Sequence, residues 1–419
     1  MPLSTRAAIG GIVSISFALT LIEVPRSDWL TLATMSLAAG VTALALMATT
    51  ALLGGRLRLI ESLFGGLDRV YVTHKWLAVW ALVFAAFHFT FRAGMRGWEA
   101  APILTWPPFY TQLVRQLSLL ALVFILLLAL NRRIPYQRWR WWHKLSGPLF
   151  LIVVLHWLTI WSPIEIASPA GVWLAILSAG GLAAAAYKLL LYRFASNHAE
   201  YRVAQATRAG SGLHLQLEPL AKPISFRPGQ FCFVSMKEDG LREPHPFTIA
   251  RVGSGQLHFV IRDLGDYTHR LIERTREGMH ADVYGPFGRF ERSPGGRREV
   301  WIAGGVGIAP FIAWLTDPSA KRTVAATLFY FFSPGSEFPT VERVRELASE
   351  SGAEVVPMSE GPSDPGFTRR FEHIVNEAGP ANVEIALCGP KGLLERVRAI
   401  MSRLGVPEAN LRFEYFEFR

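Results

Sequence analysis

"HKWLAVWALVFAAFH", residues 74–88, opens and closes on histidine and is otherwise almost wholly apolar. A second stretch, "HKLSGPLFLIVVLH" (143–156), repeats the plan and again begins His-Lys. Apolar runs of this kind suit a bilayer, where an ionisable group is costly and marks either function or a hydrogen bond to a neighbouring helix. All the histidines before residue 198 are His74, His88, His143 and His156, the ends of these two stretches. That concentration favours two functional pairs over scattered structural contacts.

In an ideal helix, fourteen steps of about 100° bring His88 back to within about 40° of the face of His74, about 21 Å along the axis. That rise is close to the distance between the two leaflets. Two such helices side by side offer one histidine pair near each membrane surface. Imidazole nitrogen is an axial ligand of haem iron, so each pair is a candidate clamp for one haem. The second spacing is thirteen, which leaves His156 about 140° from the face of His143. Gly147-Pro148 lies between them, and a proline kink within one helix is expected to recover part of the misalignment.

The 419 residues exceed one domain, and their 51% hydrophobic content is concentrated before residue 195. Apolar stretches near 7–25, 29–53, 72–91, 113–130, 140–161 and 171–192 each approach the roughly 20 residues that cross a bilayer, which predicts six spans. Arg6 precedes the first, but that run is long for a signal peptide and no small-residue cleavage site follows, so it reads as an uncleaved span. Residues 1–197 hold 16 Lys/Arg and 6 Asp/Glu, whereas residues 198–419 hold 27 of each. The net charge of +10 therefore belongs to membrane loops, and the basic pI is not read as nucleic-acid binding. Cations collect in 54–71 and in "NRRIPYQRWRWWHK" (131–144), with Arg26, Arg92, Arg96 and Arg115 opposite. The asymmetry predicts both termini, and the polar second half, in the cytoplasm. Lys75, Arg140 and Lys144 on one side, and Arg92 and Arg96 on the other, are candidate partners for haem propionates. Cys232 and Cys388 supply neither a disulfide framework nor a metal cluster.

From 200 to about 292 the sequence is strand-like, with turns every 8–12 residues, which predicts a small barrel. It carries "FRPGQF" (226–231), "HPFTIA" (245–250), "RDLGDYT" (262–268) and "YGPFG" (284–288). Arg262 and Thr268 are candidate phosphate contacts. From 299, strands and helices alternate. "EVWIAGGVGIAPFIAWL" (299–315) reads as strand, glycine turn and helix, an arrangement that receives a pyrophosphate, although it does not match G-x-G-x-x-G. "IALCGPKGLLERV" (385–397) repeats it, and the chain ends "FEYFEFR", an aromatic tail able to lie on a flavin or to form an edge strand.

Taken in order, these motifs resemble the ferredoxin-NADP reductase superfamily. "HPFT", with the two histidine pairs, is similar to its NADPH oxidase and ferric reductase branch, over nearly the whole chain. The resemblance implies a six-helix transmembrane haem domain (1–196), an antiparallel FAD-binding β-barrel (197–293) and an α/β Rossmann-like NAD(P)H domain (294–419). It implies FAD held by His245, Pro246, Phe247, Thr248, Arg262, Gly265 and Thr268. It implies nicotinamide nucleotide on Gly304, Gly305, Gly307, Pro310, Cys388, Gly389 and Pro390, with Phe416, or Phe418 in its stead, over the isoalloxazine. It implies an inner b-type haem on His74 and His143 and an outer one on His88 and His156.

"FYFFSPGSEF" (329–338) offers Ser333 but no arginine for a 2′-phosphate, so NADH and NADPH both stand as donors. No D-x-[DN]-x-[DN]-G calcium loop occurs and no long extension precedes the first span, so turnover is expected to need only nucleotide and acceptor, without an obligatory protein partner. The implied path runs from NAD(P)H through FAD and two haems to an outer acceptor, in a bacterial inner membrane. Bis-histidine iron leaves no open position, so the acceptor is reduced without binding it. Dioxygen giving superoxide is favoured by the apolar external "ILTWPPFY" (103–110), and Arg92 or Arg96 is the candidate group stabilising the anion. A ferric chelate is the alternative acceptor. An electron-supply module for a periplasmic partner is a third reading.

Overall fold

A computed structural model describes residues 2–414 apart from 92, 96, 132, 135, 211, 252–254, 294–295, 318–325 and 336, and gives only the backbone at 136, 137 and 193. Arg92, Arg96, Phe416 and Phe418 lie outside the described residues. The chain forms two compact units, residues 1–195 and 196–419.

The first unit is helical: α1 (Thr5–Ile22), α2 (Leu32–Gly54), α3 (Arg58–Phe64), α4 (Leu67–Thr90), α5 (Pro108–Leu130), α6 (Tyr136–His143), α7 (Ser146–Thr159), α8 (Pro169–Ala186) and α9 (Tyr192–Ala195). Among the described residues, five helices are long and apolar enough to cross a membrane: α1, α2, α4, α5 and the run Pro169–Leu191, in which α8 passes into a π-helical turn. Side-chain caps set several starts. Ser4, Thr31 and Ser168 accept from the backbone N–H groups of Ala7, Thr34 and Gly171.

The expected single kinked helix over 140–161 is not what forms. One helix ends at His143 and another begins at Ser146, with tight three-residue turns from Lys144 N to Trp141 O and from Leu145 N to Trp142 O between them. Pro148 therefore falls in the first turn of α7, where a missing N–H removes no helical bond, instead of kinking a helix interior. At 14 residues α7 is about 21 Å long, short of a 30 Å hydrocarbon core.

Helix α2 is the centre of this unit and packs on α1, α4, α7 and α8. Ala38, Ala39, Ala43, Ala45 and Ala48 are buried along it, and small residues let helix backbones approach closely without lipid between them. A Cβ on Gly181 of α8 would lie 2.7 Å from the Ala48 carbonyl oxygen, so no side chain fits between these two helices there.

The second unit begins with β1 (His198–Ala209), β2 (Gly212–Pro219), β3 (Phe231–Met236), β4 (His245–Arg251), β5 (Leu257–Arg262), α10 (Asp266–Arg274) and β6 (His280–Phe287). The strands close an antiparallel barrel in the order β1-β2-β5-β4-β3-β6, with β1 paired to β6. The burial alternates: Ala281 and Val283 of β6 share a core with Leu215, Val234 and Phe259, Phe287 packs against Phe231 and Phe233, and the residues between them, apart from Gly285, are more exposed.

The chain continues through β7 (Arg298–Gly304), α11 (Ala309–Leu315), β8 (Ala326–Phe331), α12 (Val341–Ser351), β9 (Glu354–Met358), α13 (Pro365–Ala378), β10 (Val383–Cys388), α14 (Lys391–Leu404) and β11 (Leu411–Glu414). All pairings are parallel, in the order β11-β10-β7-β8-β9. Both faces are covered, which is why these strands are nearly continuous apolar runs. Trp301 and Tyr330 pack with Phe311 and Val344 on one face, Ile302 and Phe329 with Phe371 and Val397 on the other.

One buried group makes barrel stability depend on pH. His258 on β5 is 8% exposed, stacks on His214 with ring centres 5.5 Å apart, and has no hydrogen bond at Nδ1 among the described residues. Burial first, then His214 and Arg251, holds its pKa down to about 4 against the ordinary 6.5. A depressed pKa contributes stability that is complete above pH 6.5 and is lost as pH falls toward 4. On thermal melting, His258→Gln is expected to flatten that fall, recovering about 2 kcal/mol of the acid-induced loss at pH 4.5. Equal pH slopes for the two proteins would refute the assignment.

Candidate cofactor and nucleotide sites

Helix α4 carries His74 and His88 on one unbroken rod beside α2. His74 Nδ1 lies 2.9 Å from the Thr50 carbonyl oxygen, and His88 Nδ1 lies 2.9 Å from that of Ser36. A carbonyl only accepts, so Nδ1 carries the proton in both rings and Nε2 keeps its lone pair. The break after α6 changes the relation between the other two histidines that their spacing implied. His143 ends α6 with its ring centre 6.1 Å from that of His74, at 75° between planes, and stacks on Trp139 at 4.7 Å. His156, on α7, lies within electrostatic reach of His88, and its Nδ1 is buried without a partner among the described residues.

This arrangement suits a metal held between two imidazoles. Metal–nitrogen bonds of about 2 Å on each side, added to the ring radii, separate the ring centres by about 6 Å. No group of three or more His, Cys, Asp or Glu able to hold a metal occurs among the described residues. A haem macrocycle would supply the remaining ligands at either pair. Lys75 and Lys144 are exposed and Arg140 is half-buried. Sequence reasoning missed Trp139 and the α2 carbonyls. The first sits four residues before His143, a spacing that puts both on one helix face. Backbone acceptors have no letter of their own.

In the barrel, His245 begins β4 and stacks on Tyr267 at 3.5 Å with the planes 6° apart, while its Nδ1 is 3.1 Å from the Glu243 carbonyl. Pro246 and Phe247 follow in register with Phe233 and Cys232. Thr248 is buried, and its Oγ1 has no hydrogen-bond partner among the described residues. Thr268 is engaged locally: its hydroxyl accepts from Leu264 N and donates to Gly265 O, both at 2.9 Å, closing the turn into α10. Gly265 is exposed, with nothing within 4 Å of an added Cβ. Arg262, at the end of β5, reaches the glycine turn of the parallel sheet, where a Cβ on Gly305 would meet its guanidinium at 2.8 Å.

That glycine turn lies where the strand order of the sheet reverses. β7 is first in the chain but third in space, with β8 on one side and β10 on the other, so the crevice beyond the carboxyl ends of β7 and β10 is the topological switch point. The two turns there meet backbone to backbone. A Cβ on Gly307 would lie 2.0 Å from the Cys388 carbonyl oxygen, one on Gly304 would lie 2.6 Å from Pro390, and one on Gly389 would lie 3.1 Å from Gly304 N. Gly305 takes φ +56°, a conformation that glycine adopts without strain. Pro310 is buried in the first turn of α11. Cys388 is wholly buried in the core beside Ala303 and Ile308, so its carbonyl is what it brings to the turn. Ser333 follows β8 and is exposed.

Comparison with known proteins agrees with this division. Residues 39–159 match the family described as ferric reductase like transmembrane component, and residues 199–303 match an FAD-binding domain. The chain is 34% identical to methane monooxygenase component C of Methylosinus trichosporium over 137 residues, 31% of this chain and 40% of that protein's length. It is 30% identical to a probable dihydroorotate dehydrogenase B (NAD(+)) electron transfer subunit of Methanopyrus kandleri, over 46% of this chain and 70% of that one. Among solved structures it resembles the flavohemoglobin of Malassezia yamatoensis, with a TM-score of 0.51 at 17% identity over 92% of this chain and 99% of that one, a likeness of fold. The chain belongs to the family in which a ferric-reductase-like transmembrane component is fused to a ferredoxin-NADP reductase-like FAD- and NAD(P)-binding module.

Proposed function

We propose that this protein is a six-pass oxidoreductase that carries electrons from cytosolic NAD(P)H across a bacterial inner membrane to an outer acceptor, foremost dioxygen, which leaves as superoxide. The sixth crossing combines α6 and α7, and both termini are cytoplasmic. The domains run 1–196, 197–293 and 294–419. The observation that carries the reading is the 6.1 Å approach of His74 and His143 in a chain that also contains an FAD-binding domain. When bound, FAD supplies the exchange between a hydride's electron pair and single electrons, and b-type haems supply the one-electron relay across the membrane.

The chain's own residues do the rest. Gly304, Gly305 and Gly307, with Gly389 and Pro390, leave bare backbone at the switch point to receive the nucleotide's pyrophosphate. Arg262 offers a fixed cation beside that turn. Ser333, at the end of the next strand, is positioned for the adenosine ribose and accepts either NADH or NADPH. His245, Pro246, Phe247 and Thr248 form the edge against which a flavin lies, with Gly265 and Thr268 at the turn facing its phosphates. His74 with His143, and His88 with His156, hold the inner and outer haems. Cys388 and Phe416 are assigned to the nicotinamide side, and Arg92 and Arg96 to the outer anion, from the family resemblance and their places in the chain.

A ferric chelate as acceptor is the second reading, favoured by the family match over residues 39–159. Aerobic NAD(P)H oxidation by the purified protein separates the two. Cytochrome c reduction that superoxide dismutase abolishes is expected, whereas reduction that dismutase leaves intact would overturn the oxidase reading.

Two substitutions test the cofactor assignments. Thr248→Val removes a hydroxyl that has no hydrogen-bond partner among the described residues, so folding should be unchanged while FAD retention weakens about tenfold, the worth of one hydrogen bond. FAD titration and thermal melting of the same samples check this. His143→Ala should halve the haem-to-protein ratio measured as pyridine haemochrome. A variant that keeps the full ratio would remove His143 from the ligand set.

A further inference from the structure

Helix α2 contains "SLAAG" (36–40) and "TALLG" (50–54), the same pattern of hydroxyl residue, three apolar residues and glycine, repeated fourteen positions apart. Fourteen is also the separation of His74 and His88. The repeats run in opposite senses: Ser36 meets His88 and Thr50 meets His74, each through its backbone carbonyl to the ring's Nδ1 at 2.9 Å. Helices α2 and α4 are thus antiparallel and in register at both contacts.

The glycines belong to the same contacts. In an α-helix the carbonyl of residue i points toward residue i+4, so a side chain there crowds any second donor. Gly40 and Gly54 occupy those positions for Ser36 and Thr50. A Cβ on Gly40 would lie 2.8 Å from His88 Nδ1 and 2.9 Å from its Cε1, closer than real contacts permit. A Cβ on Gly54 would lie 3.7 Å from His74 Cε1, in ordinary contact. Glycine is a poor helix former, and at Gly40 a histidine ring occupies the space it leaves. Ser36 adds a second tie, donating its hydroxyl to the Phe91 carbonyl at 2.7 Å just beyond the end of α4. The opposing histidines are held differently, His143 by stacking on Trp139 and His156 with its Nδ1 unpartnered among the described residues.

We propose that the two α2 repeats, Ser36 to Gly40 and Thr50 to Gly54, are positioning residues for the transmembrane histidines: the carbonyl of each fixes the tautomer that leaves Nε2 free for a metal, and Gly40 makes the room that the His88 ring needs to reach it. The proposal rests on the haem reading. A hydrogen bond of this kind from a ligating histidine orients the ring and raises its basicity, and such partners change metal affinity by about 10–100-fold. The tie at Gly40 is the tighter one, so it concerns the His88 pair first.

The test is Gly40→Ala in the full-length protein, with haem stoichiometry, spectroelectrochemical titration of each haem and low-temperature electron paramagnetic resonance as readouts. Retention of one haem is expected to weaken about tenfold, or its potential and resonance to change, while the other stays as in the wild type. Gly180→Ala on α8, whose Cβ would meet nothing within 4 Å, should keep both haems. Should Gly40→Ala fold poorly, a double-mutant cycle decides. In a His88→Ala background the alanine at position 40 should cost no further thermal stability. Equal destabilisation in both backgrounds would assign Gly40 to helix packing and overturn the proposal. So would two haems with unchanged potentials in Gly40→Ala, which would leave the haem reading standing. A wild-type protein without haem would overturn both.

Discussion

An imidazole buried in apolar surroundings has two ring nitrogens to satisfy, and leaving either unpaired is costly. Much of the first unit answers that constraint. His74 and His88 each give one nitrogen to a carbonyl of α2, which requires α2 to run close beside α4 and to carry small residues where the rings enter. The central, largely buried position of α2 follows from the same requirement, since a helix lined with Ala38, Ala39, Ala43 and Ala45 can be surrounded on several sides. Helix α8 takes advantage of this, bringing Gly181 against the Ala48 backbone.

The second unit solves a different problem, the presentation of bare backbone to an anionic ligand. A switch point gives two adjacent parallel strands whose following turns leave in opposite directions, and here both turns are built from glycine. Gly307 and Gly389 allow the turns to touch each other, so neither can shift independently. Arg262 arrives from the barrel at Gly305, so the cation and the turn belong to one site although they come from different sheets.

The sequence made the large features legible because they are written in periods. Turns every 8–12 residues, the change to strand, glycine turn and helix after residue 299, and five of the six long apolar runs each correspond to elements that formed. The histidine pairs were visible as residue type and spacing. What stayed hidden depended on context. Gly147-Pro148 suggested a kinked helix, but a proline is written the same whether it interrupts a helix or begins one, and here it begins α7. The Thr50 and Ser36 carbonyls, the His245–Tyr267 stack and the unpartnered Thr248 hydroxyl were hidden for a related reason. A backbone oxygen or an empty valence becomes apparent only once the neighbours are in place.

The unequal construction of the two histidine-bearing segments has a mechanical meaning. Helix α4 is continuous, so the rise between His74 and His88 is fixed like graduations on a ruler. His143 and His156 lie on separate helices joined by the turn at Lys144 and Leu145, so no single helix axis fixes their separation. Changes in the turn at 144–145 would therefore alter the distance between His143 and His156 while leaving that between His74 and His88 as it is.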